Sequence, residues 1–215
     1  MTLIRVTIEK RALRAIVKFA AKDDIRYYLQ GVLLELGADD MRLCATNGHM
    51  LGLLRVPYAD GDERPVQTGF EAIIPGDLIK GIKKPGRRDA VGLTVELDPV
   101  AGTVCLIDGE TRSTAKLIDA KFPAYRSSIP GGRNGKLSGK VAQFNPEYVY
   151  AFLEARAEFG NKIPVVTIGH NGDSAALVTI GRDDFVGVLM PIRADASLDV
   201  APAWAIAPAA VEVKP

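Results

Sequence analysis

The sequence predicts an α+β fold assembled from three copies of one βαβββ unit. A strand-like run that leads through a turn into an amphipathic helical stretch occurs three times, at residues 4–8, 70–74 and 141–144. Ile8, Ile74 and Phe144 stand at equivalent points of these runs, 66 and 70 positions apart. After each helical stretch come short runs rich in β-branched and apolar residues, separated by strong turn signals. Strands that pair as meanders, with helices gathered on one face, give an α+β layer architecture.

In the first unit, residues 10–21 place Leu13, Ile16, Val17 and Ala20 at i, i+3, i+4 and i+7, the apolar stripe of a helix. Residues 25–54 then read as three strands. The first two join across Gly37-Ala38-Asp39-Asp40, and the third follows Asn47-Gly48, a pair that tolerates positive φ. Thr46, Asn47, Gly48 and His49 crowd that second turn, with Met50 and Leu51 directly after it. Small polar groups beside apolar ones suit the rim of a binding cleft.

In the second unit Pro75 leads into a short helix over residues 76–83, which Pro85-Gly86 closes. Turns follow at residues 98–102 and at Asp108-Gly109. In the third, Asn145 is the expected N-cap and Pro146 the first residue of a helix to about Phe159. Strands are expected at residues 165–168 and 185–190, with turns at 171–173 and 181–184. The glycine-rich residues 131–139 form the clearest linker. The chain thus divides into a two-unit domain (1–125), a one-unit half domain (126–195) and an Ala/Pro-rich tail (196–215) expected to be disordered.

With 27 Lys and Arg against 26 Asp and Glu, net charge is only +1, so any nucleic-acid reading rests on where charge lies. The two cysteines, Cys44 and Cys105, fall inside expected strands without CxxC spacing and read as buried thiols, neither metal ligands nor a disulfide. No apolar run spans a bilayer and the first residues lack a signal-peptide layout, so a cytoplasmic protein is expected. Catalysis finds little support, a hydrolase using His49 being the remaining alternative. His49 and His170 both sit on expected turns, and no Gly-x-Ser-x-Gly elbow occurs. Residues 131–136 mimic a phosphate loop but have three residues between glycines instead of four, and Leu137 replaces the required hydroxyl.

Three blocks carry a family resemblance. The first is Ile25-Arg26-Tyr27-Tyr28-Leu29-Gln30-Gly31 with Ala45-Thr46-Asn47-Gly48-His49. The second is residues 117–126, with Phe122-Pro123-Ala124-Tyr125-Arg126, and the third Val188-Leu189-Met190-Pro191-Ile192-Arg193. Together and in this order they resemble the bacterial DNA polymerase sliding clamp, the β subunit of the replicase. The resemblance implies the DNA-clamp fold and a non-enzymatic, cofactor-free processivity factor of DNA replication that works on double-stranded DNA. Family members have three domains of two units each, and two chains close a ring. Against that plan this chain lacks the first domain and the first half of the third. It also has Asn47 where the family commonly has Asp and Met50 where it has Arg. These departures bear on ring assembly more than on the fold.

In the family, DNA polymerase and other partners insert a hydrophobic peptide between the second and third domains. Carried over by position, that cleft is lined by Leu29, Thr46, Gly48, His49, Met50, Leu51, Pro123, Tyr125, Arg126, Val188, Met190, Pro191, Ile192 and Arg193. From pattern alone the same residues read as core where two units meet; the three blocks together favour the cleft. A second constellation is cationic. Lys10, Arg14, Lys18 and Lys22 recur every four residues beside Arg11, and Lys80, Lys83, Lys84, Arg87 and Arg88 follow the second helix. Such rows track phosphates without reading bases, or else are solvated helix faces. The third helix dissents, with Glu147, Glu154 and Glu158. An unpaired third unit leaves a sheet edge and a helix face for a second chain to cover, so a homo-oligomer is expected. The competing expectation is an adaptor or decoy that binds clamp-partner peptides without encircling DNA.

Overall fold

Two antiparallel sheets organise the molecule. The computed structural model describes residues 3–63, 69–86, 92–129, 142–160 and 165–192. The linker at 131–139 and the tail at 196–215 lie outside them, as do Arg87, Arg88 and Arg193. The first unit comprises β1 (Ile4–Glu9), α1 (Lys10–Ile16), β2 (Gly31–Leu36), β3 (Asp40–Thr46) and β4 (Met50–Pro57). The second comprises β5 (Phe70–Pro75), α2 (Gly76–Lys80), β6 (Gly92–Asp98), β7 (Thr103–Asp108) and β8 (Thr111–Lys116). The third has α3 (Pro146–Glu158), β9 (Thr167–Gly169), β10 (Ala176–Thr179) and β11 (Phe185–Leu189).

The first two units interlock by exchanging their first strands. β1 leaves its own unit to pair with β6, and β5 pairs with β2. The result is a four-stranded sheet, β1-β6-β7-β8, and a seven-stranded one, β5-β2-β3-β4-β11-β10-β9, that the third unit extends through β4 and β11. A further sign of repetition is conformational. Beyond its fourth strand the chain returns to its own first strand in every unit: Glu63 N–H donates to Arg5 O at 2.9 Å, Ile118 N–H to Ile73 O at 3.0 Å, and Ile192 N–H to Gln143 O at 2.7 Å.

The main core lies between the sheets and the helices. It joins Val6, Ile8, Val95 and Leu106 of one sheet to Leu34, Met41, Leu43 and Ile74 of the other, with Leu13, Ile16 and Phe152 from the helices. A second, smaller core covers the opposite face of the seven-stranded sheet, where Leu33, Cys44, Leu51, Ile73 and Val188 meet Phe122 and Tyr125. Period-two alternation sends neighbouring residues to opposite faces, and β2 is buried at all six positions because both of its faces are covered. At the joint with the third unit Gly52 stands opposite Gly187. The rings of Phe19 and Phe152 pack there with centroids 4.8 Å apart. A Cβ on Gly52 would fall 2.4 Å from the Phe19 ring, and one on Gly187 2.4 Å from the Phe152 ring. Only glycine admits both aromatics to the seam.

Several boundaries differ from sequence expectation, among them the strand expected at 165–168, which runs Thr167–Gly169. The strand expected from Ile25 is a 3-10 turn over Tyr27–Gln30. Local bonds coil it: Leu29 N–H donates to Arg26 O at 2.8 Å, and the Gln30 amide donates to Asp24 O at 2.7 Å. The first helix stops at Ile16 and continues as a 3-10 turn, Val17–Phe19, which delivers Phe19 to the seam. The second ends at Lys80 instead of residue 83. The strand expected at 141–144 is reduced to one bridge, Gln143 with Ile192. The third helix begins as expected, with Pro146 first and the Asn145 side chain accepting from Glu147 N–H at 2.9 Å.

Candidate functional site

A cavity of about 310 Å³ opens on the outer face of the seven-stranded sheet, where β4 meets β11. Leu51 and Val188, paired across the seam, are buried in its floor beside Leu29. Pro123, Ala124, Tyr125 and Ser128 form one wall, and Arg26, Tyr28, Thr46, Gly48, His49, Met50 and Met190 the rest of the boundary. One backbone bond closes the seam at the rim, from Met190 N–H to His49 O at 2.9 Å.

The rim loop is held by its own side chains. Thr46 Oγ1 donates to Met50 O at 2.7 Å and accepts from Gly48 N–H at 3.0 Å. Asn47 Oδ1 accepts from the N–H groups of His49 and Met50, both at 3.0 Å. Gly48 has φ of 90°, a left-handed value that favours glycine. Arg26 links the neighbouring turn to this loop, donating to Asn47 O at 3.3 Å while gripping Asp24 at 2.6 and 3.0 Å. Those Arg26 bonds hold the Asp24 carboxyl down to about 2. The His49 ring stacks on Tyr148 of α3, centroids 5.5 Å apart and planes at 11°. It also borders a groove on the helix side lined by Lys18, Lys22, Tyr148, Tyr150 and Glu154.

The wall is anchored through a buried carboxylate. Glu35 on β2 accepts from the Tyr125 hydroxyl at 2.8 Å, from Arg126 at 2.6 and 2.9 Å, and from Arg42 at 3.1 Å. Burial pushes the Glu35 carboxyl up, but the Tyr125 hydrogen bond and the two guanidiniums outweigh it, and the net shift is downward. The same burial raises the Tyr125 phenol and the Cys44 thiol beneath it. Cys44 and Cys105 are free and buried, which keeps them apart from any thiol chemistry.

Of the nominated cleft residues, Leu29, Thr46, Gly48, His49, Met50, Leu51, Pro123, Tyr125, Val188 and Met190 line the cavity together. Arg126 does not; it braces the wall from behind. Pro191 and Ile192 lie past the rim, Ile192 being half exposed and bonded to Gln143. Arg26, Tyr28, Ala124 and Ser128 were missed, as was the stacking Tyr148. Arg26 and Tyr28 stood in the first resemblance block, but a strand reading hid the turn that aims them inward.

The cationic row is not a free helix face. Lys10 pairs with Asp108 at 2.5 Å, Arg14 with Glu158 at 3.2 Å and Lys18 with Glu154 at 3.2 Å. Arg14 also donates to Ile82 O at 2.7 Å, Arg11 to Gly86 O at 3.1 Å, and Lys80 pairs with Asp77 at 2.8 Å. The acidic third helix that dissented in the sequence is the partner of the basic first. Lys22, Lys83 and Lys84 are exposed.

The family described as DNA polymerase III beta subunit, central domain, matches residues 4–124. The beta sliding clamp of Pseudomonas aeruginosa is 32% identical over 134 residues, covering 60% of this chain and 33% of that protein. The Escherichia coli K12 beta sliding clamp is 31% identical over 130 residues, again covering 60% and 33%. These matches therefore span about a third of the relatives' length. Among solved structures, a sliding clamp from P. aeruginosa superposes with a TM-score of 0.65 at 23% identity, covering 89% of this chain and 67% of that one. The Caulobacter crescentus pol III beta structure gives 0.63 at 19%, covering 90% and 68%. The fold is thus shared over nearly the whole chain, and the chain belongs to the DNA polymerase III beta subunit family, the sliding clamps, through its first two units.

Proposed function

We propose that this protein is a clamp-type processivity factor of DNA replication, non-enzymatic, which holds an apolar peptide of a polymerase or repair protein in the seam cleft. The observation that carries the reading is the cavity itself, an apolar floor with a few polar groups at its rim, the composition of a peptide-anchor pocket. Met50 and Met190 give the rim adaptable, polarizable contact area. Fluorescence anisotropy with a labelled short hydrophobic peptide tests it. Saturable binding is expected, weakened at least ~10-fold, or about 1.4 kcal/mol, by Met190→Glu on the exposed rim. Binding that ignores both Met190→Glu and His49→Ala would remove the reading.

The helix side, opposite the cleft, is the side proposed to contact duplex DNA. Lys22, Lys83 and Lys84 are exposed there, as is Lys80 beside its exposed partner Asp77, with the half-buried Arg11 nearby. A handful of phosphate contacts suits non-specific, mobile attachment. The ion pairs that occupy Lys10, Arg14 and Lys18 favour a second reading, an adaptor that binds the same peptides without encircling DNA. Retention on nicked circular DNA that is salt-sensitive and lost on linearisation supports the clamp; peptide binding without retention supports the adaptor.

A further inference from the structure

The cleft lies at the root of the C-terminal segment. Met190, on its boundary, is two residues from Ile192, where the described chain ends, and residues 193–215 follow. Apolar surface continues along that exit, Met190 being 40% and Ile192 51% exposed. Ala and Pro dominate the segment beyond, and its bulkiest apolar pair is Trp204 and Ile206, set among alanines and bracketed by Pro202 and Pro208. Positions i and i+2 of an extended chain face the same way, so this pair makes two anchors on one side of a strip of small groups. Flanking prolines favour the extended form and lower the cost of ordering it. Leu198-Asp199-Val200 and Val211-Glu212-Val213 repeat the spacing, but with smaller anchors and an acid between them.

On the reading of the seam as a peptide cleft, we propose that the chain's own C-terminal segment is its resident ligand, with Trp204 and Ile206 held over the apolar floor until a partner peptide displaces them. Reach is ample. Trp204 lies 12 residues beyond Ile192, a span of up to ~40 Å when extended, whereas Met190 is only two residues back, no more than ~8 Å of chain. A cavity of about 310 Å³ is at the lower end for ligand sites and suits an anchor of one or two bulky side chains. Trp is among the residue types that dominate such anchors, because it buries a large area at low cost in freedom. Charge agrees with the placement. Residues 194–211 carry Asp195 and Asp199 and no cation, while Arg26 on the cleft boundary and Lys22 on the groove behind His49 are exposed. Tethering makes weak contacts sufficient: an effective concentration of about 1 mM against an intrinsic dissociation constant of about 0.1 mM leaves the cleft free about a tenth of the time. The segment then sets a threshold that a partner must exceed, and keeps the apolar floor out of water between partners.

Trp204 is the chain's single tryptophan, so its fluorescence reads the docking directly in the full-length protein. Its emission should be shifted to the blue of the denatured chain. A short hydrophobic peptide free of tryptophan should move it back to the red, and so should Met190→Glu with no peptide present. Trp204→Ala should tighten binding of the labelled peptide about tenfold, the inverse of the free fraction. Emission already at the denatured position, with Trp204→Ala and wild type binding the peptide equally, overturns the proposal and leaves the cleft reading standing. A blue-shifted Trp204 that ignores both the peptide and Met190→Glu also overturns it, because the segment then lies on another face, such as the β9 edge. A blue shift that fades on dilution through the micromolar range overturns it in favour of a neighbouring chain's segment. Peptide binding absent from both wild type and Trp204→Ala removes the cleft reading instead, while a Trp204 released by Met190→Glu would still support docking at the seam.

Discussion

β4 and β8 hold the same place in two copies of one unit, yet only β4 borders a cleft. β4 reads Met-Leu-Gly-Leu-Leu-Arg-Val-Pro and buries apolar residues on both faces, whereas β8, Thr-Arg-Ser-Thr-Ala-Lys, is exposed at nearly every position. The hairpin entering β8 is a tight turn at Gly109-Glu110 between paired Asp108 and Thr111. The one entering β4 is a longer loop braced by Thr46 and Asn47. A polar strand with cations along it keeps an edge soluble; an apolar one requires a neighbour and gets β11. The cleft is therefore no property of the repeated unit. It arises where one copy acquires both a third unit at its edge and the 117–126 segment across its outer face.

If the third unit makes the difference, removing its anchor should erase it. Phe152 is fully buried, and its ring joins Phe19 at 4.8 Å and Phe185 at 6.4 Å. Phe152→Ala should cost about 3–5 kcal/mol locally, as large-to-small core changes do. Hydrogen exchange should rise in β9 to β11 while β1 and β6 stay protected, and peptide binding should vanish. Equal loss of protection in both sheets would show that the third unit is not a separable addition.

The crossing segment is the other addition, and Glu35 is its tether. Glu35→Ala leaves the Tyr125 hydroxyl without its partner and Arg126, already half exposed, without its anchor. A loss of about 2 kcal/mol is expected, discounted for that exposure. Peptide affinity should fall several-fold with the β-sheet signal unchanged. The pH dependence follows from the lowered Glu35 carboxyl. A group depressed on folding stabilises fully above its unfolded value, about 4.3 for Glu, and loses that contribution as pH falls through the lower folded value. Thermal melts between pH 7 and 3 should show the wild type losing this increment on acidification, and Glu35→Gln losing less. Parallel melting curves would break the assignment.

How much of this was legible beforehand follows the same division. The repeat, the Asn145 cap and ten of the cleft residues could be read because periodicity and turn chemistry are local and the resemblance supplied the rest. Arg26 and Tyr28 could not be read, because a 3-10 turn held by Asp24 and Gln30 leaves no hydrophobic period to detect. The cationic row misled for a related reason. Spacing shows which side chains share a helix face, but the acids that neutralise Lys10, Arg14 and Lys18 come from residues 108, 158 and 154, far off in sequence. The exchange of first strands was equally hidden, since register between distant strands leaves no mark on either one.

The smallest expected effect separates the two hairpins directly. Asn47 Oδ1 receives two backbone N–H groups at the cleft rim, and nothing comparable is made by Glu110, which is exposed at the β7–β8 turn. Asn47→Ala should cost about 1 kcal/mol, a typical figure for lost neutral hydrogen bonds partly replaced by water. Its effect on peptide affinity should be larger than its effect on stability suggests, because the freed loop carries His49, whose carbonyl holds Met190 across the seam. Glu110→Ala should leave both melting temperature and affinity where they were. If the two substitutions instead behave alike, the braced loop is only a longer connection, and the distinction between β4 and β8 reduces to their apolar content.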